Sequence, residues 1–120
     1  MTCIQRDHVQ PFITADGSEI RELMAYRNAP IQRQSLAEAR LAPGQATTRH
    51  YHPRTEEIYY LLQGTGSMEL NGHHRPVGPG DTIAIPPGAK HQLTNTGAQP
   101  LVLLCCCVPA YEHFDTILCD

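Results

Sequence analysis

Three histidines and a glutamate, His50, His52, Glu57 and His91, are the residues of this chain whose types and spacing suit chemistry. They fall in two patterns. The first opens at Gly44, reaches His50 after five intervening residues, takes in His52 and Glu57, and closes at Gly64. The second opens at Gly80, reaches Pro86 after five intervening residues, and continues through Gly88 and His91 to Asn95. Imidazole plus carboxylate suits a divalent transition metal: iron, manganese, nickel, copper, cobalt or zinc. Ligand type alone does not choose among them. Four protein ligands on an octahedral ion leave two open positions for water, dioxygen or a chelating substrate. An open position is what separates a catalytic site from a closed structural one.

The elements that position these groups read as strands. Side chains two apart on a strand point the same way, about 6.5–7 Å apart. His50 and His52 therefore share a face, with Arg49 and Tyr51 on the other. Pro53 ends that run, and Glu57 opens the next, so the carboxylate enters from a different direction. The rigid Pro86-Pro87-Gly88 turn fixes where the strand carrying His91 begins. Alternation lets only one of Glu56 and Glu57 face an ion. Glu57, with six residues between it and Gly64, is the preferred ligand. Glu56 is then a spare carboxylate, and with Tyr59 a weak candidate for acid–base work.

Ten prolines and nine glycines fall between short apolar runs spaced about ten residues apart. That punctuation signals an all-β sandwich or barrel. Strands are expected at 19–23, 34–41, 47–52, 57–63, 67–70, 74–77, 82–85, 91–96 and 101–108. Asn71-Gly72 is the strongest two-residue hairpin signal. Asp16-Gly17, Pro43-Gly44 and Gly78-Pro79-Gly80 are further turns. Residues 1–15 read as an N-terminal arm, 16–109 as the barrel domain and 110–120 as a tail able to fold over a barrel mouth.

A chain of 120 residues fits one domain and buries a real core without disulfides. A net charge of -3 argues against a nucleic-acid partner. No apolar run reaches the roughly 20 residues that span a bilayer, and the start lacks a secretory signal. A cytoplasmic location is the default expectation. The five cysteines read as free thiols in a reducing compartment, because the consecutive Cys105, Cys106 and Cys107 are poorly placed to bridge one another.

Residues 44–95 resemble the two motifs of the cupin superfamily, with no departure at the fixed positions. The 15-residue stretch between the motifs, Thr65 to Pro79, resembles that of the shortest single-domain microbial cupins. His52-Pro-Arg-Thr-Glu-Glu-Ile-Tyr-Tyr is similar to small cupins labelled mannose-6-phosphate isomerase-like. The resemblance implies a double-stranded β-helix, a jelly-roll barrel of two antiparallel sheets. It implies that His50, His52, Glu57 and His91 bind a divalent metal inside the barrel. It also implies a homodimer, often built by adding N-terminal strands to a partner's sheet, which covers exposed sheet edges.

Fold does not fix function. The expected function is an enzyme using its metal on a small-molecule substrate. Dioxygenase chemistry comes first, and isomerase or lyase chemistry on a sugar or hydroxy acid second. The alternative is a non-catalytic module that binds a small ligand or senses metal or redox state. A vacant scaffold, or a metal that only stabilises the fold, would leave the same motifs. Tyr59 and Leu61 share the face of Glu57 and line a pocket or pack the core. Cys105 and Cys107 share a face, as thiols near the metal or as small hydrophobes. Tyr111, His113 or Phe114 would approach the ligand if the tail closes the mouth. Glu38 and Arg40 would anchor a polar substrate or form a surface pair. His73 and His74 are expected in solvent, and His8 has nothing nearby to pair with.

Overall fold

The computed structural model describes residues 1–119; the last residue of the expected tail, Asp120, lies outside them. The alternation of apolar and polar side chains gives an all-β chain. Its strands are β1 (Phe12–Ile13), β2 (Glu19–Met24), β3 (Ser35–Leu41), β4 (His50–Tyr51), β5 (Glu56–Gln63), β6 (Gly66–Leu70), β7 (His73–Val77), β8 (Thr82–Ile85), β9 (His91–Asn95), β10 (Leu101–Val108) and β11 (Ile117–Leu118). Single 3-10 turns lie at Arg6–His8 and His113–Asp115. The strands form two antiparallel sheets. One runs β1-β2-β3-β10-β5-β8 and the other β11-β4-β9-β6-β7. No helix among the described residues is long and apolar enough to cross a membrane.

The core lies between the sheets. Along β5 and β10 every second residue is buried, so Tyr59, Leu61, Leu103 and Cys105 turn inward while Ile58, Tyr60 and Cys106 turn out. Leu41, Leu61, Ile85, Leu93, Leu101 and Leu103 are fully buried. Each such side chain contributes about 1.5–3 kcal/mol on leaving water.

Asn71 (φ 49°) and Gly72 (φ 88°) both take positive φ, as a two-residue hairpin between β6 and β7 demands. Gly64, which closes the first motif, is obligatory for a second reason. A Cβ there would stand 2.5 Å from the Pro100 carbonyl oxygen.

Three expectations change. The strand expected at 47–52 is only His50–Tyr51. Thr47 Oγ1 accepts the Leu93 N–H at 3.0 Å, so a side chain takes a bond the strand ladder would have used. The arm and tail also carry short strands. Phe12 pairs with Ile20, and Ile117 with Tyr51, so both chain ends are stitched to the sheets. Finally, Glu38 and Arg40 project from the outer face of β3, whose inner face is Ala37, Ala39 and Leu41. Glu38 pairs with Arg6 of the arm at 2.6 Å rather than with Arg40, and neither residue anchors anything inside the barrel.

Candidate metal centre

The two sheets bring the four motif residues together. His50 on β4 lies directly opposite His91 on β9, and their ring centroids are 4.2 Å apart. His52 follows β4 on the same face, 5.0 Å from the His50 ring. Glu57 reaches across from β5 in the other sheet. Its Oε1 is 3.4 Å from His52 Nε2 and 3.8 Å from His91 Nε2. All four side chains are buried, His91 completely. Each histidine offers a ligand atom within 4.8 Å of the other two.

Local hydrogen bonds set each ring's direction. His50 Nδ1 donates to the Thr48 carbonyl at 2.7 Å, and His91 Nδ1 to the Ala89 carbonyl at 2.9 Å. His52 Nδ1 donates to the Asp115 carbonyl at 3.1 Å, beside the Thr116 hydroxyl. With Nδ1 protonated, each ring keeps its Nε2 lone pair free. This backing fixes the tautomer of a metal-binding histidine. His91 Nε2 and Glu57 Oε1 are buried without a hydrogen-bond partner among the described residues. Orphaned buried polar atoms are rare and call for an explanation. A cation between them supplies one. Donors on one ion, with bonds of about 2.1 Å, stand roughly 3–4 Å apart. The Glu57 contacts fall in that range, so the residues present fit a metal ion.

The electrostatics suit the same use. Burial, reinforced by the neighbouring His50, lowers the His91 pKa to about 4, so this ring is neutral at neutral pH. Burial also acts to lower the His52 value, but the Glu57 carboxylate and the Asp115 carbonyl outweigh it and leave it raised. Burial holds the Tyr59 hydroxyl and the Cys105 thiol protonated, with pKa values well above their ordinary ones. Burial and then the Glu57 charge do the same for Cys107. Its Sγ donates to Glu57 Oε2 at 3.3 Å, so the outer carboxylate oxygen is held while the inner one stays free.

A cavity of about 660 Å³, counting its mouth, opens from the cluster between the sheets. Its wall includes Tyr59, Cys105 and Cys107, with Ala37, Ala39 and Leu103 beside them. Tyr59 has its ring 6.0 Å from His91. Glu56 is exposed on the opposite face of β5 and lies outside the groups brought to the site. Leu61 packs in the core, away from the cavity. Of the tail residues, Tyr111 reaches the wall and its ring lies 6.1 Å from His52. His113 packs against Phe12 and Tyr111, and Phe114 is exposed. His8, His73 and His74 are exposed and take no part.

Sequence reasoning missed Asp16, which read only as a turn residue. Its Oδ2 lies 3.6 Å from His50 Nε2, inside the cavity. Oδ1 accepts from Thr14 Oγ1, Ser18 Oγ and Ser18 N at 2.6, 2.6 and 2.9 Å. Burial opposes ionisation, but these bonds outweigh it and hold the pKa below the ordinary value. The Thr48 N–H donates to the Asp16 carbonyl at 2.7 Å and ties the turn to the chain entering β4. The Thr-x-Asp-x-Ser pattern signals the capped oxygen. Nothing local signals where the other one points.

The cupin-domain family model matches residues 37–107, more than half of the chain. The chain is a cupin. It is similar over most of its length to the uncharacterized protein MJ1618 of Methanocaldococcus jannaschii. The identity is 47% over 110 residues, covering 92% of this cupin and 88% of that protein. Among solved structures, the polyketide cyclase RemF from Streptomyces resistomycificus superposes with a TM-score of 0.85 and 25% identity, covering all of this chain and 86% of that one. A predicted oxalate decarboxylase from Thermotoga maritima gives 0.80 and 25%, covering 90% and 99%. These place the jelly-roll fold within a known architecture.

Proposed function

We propose that this cupin is a divalent-metal-dependent enzyme acting on a small, largely apolar organic molecule that carries oxygen groups. The observation that carries this reading is the pair of orphaned atoms, His91 Nε2 and Glu57 Oε1, beside two further histidines whose Nδ1 atoms are already engaged. A bound cation would act as a Lewis acid towards an oxygen of the molecule. The chain's own groups do the rest. Tyr59 holds a proton at its hydroxyl and can donate a hydrogen bond to a ligand oxygen. Ala37, Ala39 and Leu103 make that part of the wall apolar and exclude water from it. Tyr111 covers the approach from the tail side.

Proton-transfer chemistry, an isomerisation, elimination or cyclisation, is the first reading, in which a hydrogen bond from Tyr59 would stabilise an oxygen that gains negative charge. The similarity to a polyketide cyclase at 25% identity supports it too. Dioxygenation is the second reading, favoured by the two positions that four protein donors leave on an octahedral ion. The exposed apolar stripe of Ile58, Tyr60, Leu62 and Val108 on the outer face of the six-stranded sheet supports a homodimer.

The test starts with protein purified without a metal-chelating tag and assayed for bound metals. A panel of aromatic diols, hydroxy ketones and hydroxy acids is then incubated in D2O. Deuterium is followed by NMR and oxygen by electrode. Deuterium wash-in that needs His91 and slows about tenfold or more in Tyr59→Phe supports the proposal. Oxygen uptake instead supports the dioxygenase reading. Tightly bound metal with neither signal favours a binding module.

A further inference from the structure

Asp16 presents one oxygen that the fold leaves unused, at the place where a ligand would meet the metal cluster. Oδ1 is saturated by three donors from Thr14 and Ser18, and these bonds fix the plane of the carboxylate. Oδ2 points into the cavity. At 3.6 Å it is too far from His50 Nε2 for a hydrogen bond. Like the Glu57 carboxylate, it stands outside the set of three mutually close histidine donors, but Glu57 approaches two of those histidines and Asp16 only one. An ionised carboxylate accepts hydrogen bonds and donates none.

The rest of the wall sharpens the point. Asp16, Glu22 and Glu57 are its charged residues, and no lysine or arginine lines it among the described residues. Glu22 is paired with Arg27 at 2.6 Å, which leaves Asp16 and Glu57 to act on a ligand. Phe12, Ile20, Ala37 and Ala39 give the same cavity an apolar wall. A phosphoryl group or a second carboxylate would find no cation here other than the metal, and would meet the Asp16 charge in a poorly screened space.

We propose that Asp16 selects the ligand: its Oδ2 accepts a hydrogen bond from a hydroxyl group of a neutral, largely apolar molecule held beside His50, and its charge turns away phosphorylated and dicarboxylate compounds. This rests on the reading of the cavity as a small-molecule metal site and names the ligand class for it. The specificity has two parts, an attractive contact with the right ligand and repulsion of the wrong one.

The test uses the full chain loaded with Co2+, whose visible absorption reports ligand binding without turnover. The probes are catechol, 2-methoxyphenol (which lacks one of the two hydroxyls) and oxalate. Wild-type protein should prefer catechol to 2-methoxyphenol by about tenfold or more, and oxalate should compete poorly. Asp16→Asn keeps an oxygen for Ser18 and Thr14 but turns an NH2 group into the cavity. It should retain Co2+, reduce the preference to about twofold or less, and admit oxalate. Asp16→Ala should behave likewise. Variants that keep the wild-type preference overturn the proposal. So does loss of Co2+ from Asp16→Asn, which would make Asp16 a metal ligand. Failure of wild-type protein to bind Co2+ would remove the metal-site reading itself and the inference with it. The first two results leave that reading standing.

Discussion

Cys107 Sγ donates to Glu57 Oε2 at 3.3 Å, across the β10–β5 pairing that sets these two residues opposite each other. The thiol is buried and held protonated, so it acts as a donor and not as a nucleophile. It leaves Glu57 Oε1 as the carboxylate's free atom, facing His52 and His91. Cys107→Val should lower metal affinity about tenfold, the usual scale for losing a group that orients a ligand. Cys107→Ser, which keeps a donor, should lie close to wild type. Metal titration with a competing chelator measures both.

The tail holds the site through Asp115. Its buried carboxylate accepts the Thr55 N–H at 3.0 Å and the Arg54 N–H at 3.2 and 3.3 Å, while its carbonyl backs His52. Asp115→Ala leaves buried donors unsatisfied and should cost about 1–3 kcal/mol in urea unfolding. Metal affinity should fall as well, because the tail loses the carboxylate that docks it and so holds less firmly the backbone carbonyl behind His52, which alanine retains. A variant that unfolds earlier but binds metal as tightly as wild type would show that the tail holds the fold and not the ring.

Glu57→Gln separates function from stability. In the metal-free protein the Glu57 charge is buried with one oxygen unpartnered, a cost that an amide reduces. The variant should bind metal at least about 100-fold more weakly, yet melt at or above the temperature of the metal-free wild type. Thermal melts with and without added Mn2+ measure both. Sites built for function are commonly held at some expense of stability.

The clustering of the four motif residues was legible in the sequence because its information is local. Two glycine- and proline-bounded motifs carry them, with His50, Glu57 and His91 on strands and His52 just past the end of one, and strand alternation turns Glu57 inward and Glu56 outward. Asn71-Gly72 announced its hairpin because both positions need positive φ. The residues that support the site were not legible. Asp115 and Thr116 reach His52 across more than 60 positions, and Asp16 reaches His50 across a turn whose placement depends on Thr48. Short terminal strands such as Phe12–Ile13 have no periodicity to read. They exist because an existing edge accepts them.

The outer face of the six-stranded sheet predicts self-association. Ile58, Tyr60, Leu62 and Val108 lie there, each between 42 and 49% exposed, a continuous apolar patch of the kind that marks interaction surfaces. Light scattering after gel filtration should give twice the chain mass of 13.3 kDa. Ile58→Glu with Leu62→Glu should return the chain mass itself, with the metal content unchanged because both side chains face away from the cavity. A monomeric wild type at micromolar concentration would remove the dimer.

Acid should act on the metal-free protein and on metal binding through different histidines. His91 titrates at about 4 when folded and near 6.5 when unfolded. Between those values the unfolded chain binds the extra proton, so this ring's contribution to stability falls as the pH drops from about 6.5 to about 4 and changes no further below that. His52 has the opposite sign. Its raised folded pKa adds stability that is fully present below about 6.5 and is lost as the pH rises through the folded value. The two act in different windows, His52 above about 6.5 and His91 below it. His52→Gln should therefore remove the gain in stability as the pH falls towards 6.5 and leave the loss below it unchanged, and His91→Gln should flatten that loss, in urea titrations run from pH 4 to 8. Metal binding reads the same groups differently. His52 must shed its proton to coordinate, whereas His91 is already neutral. Near pH 6.5 metal uptake should release protons, detected by calorimetry in buffers of different ionisation enthalpy, and His52→Gln should abolish most of that release.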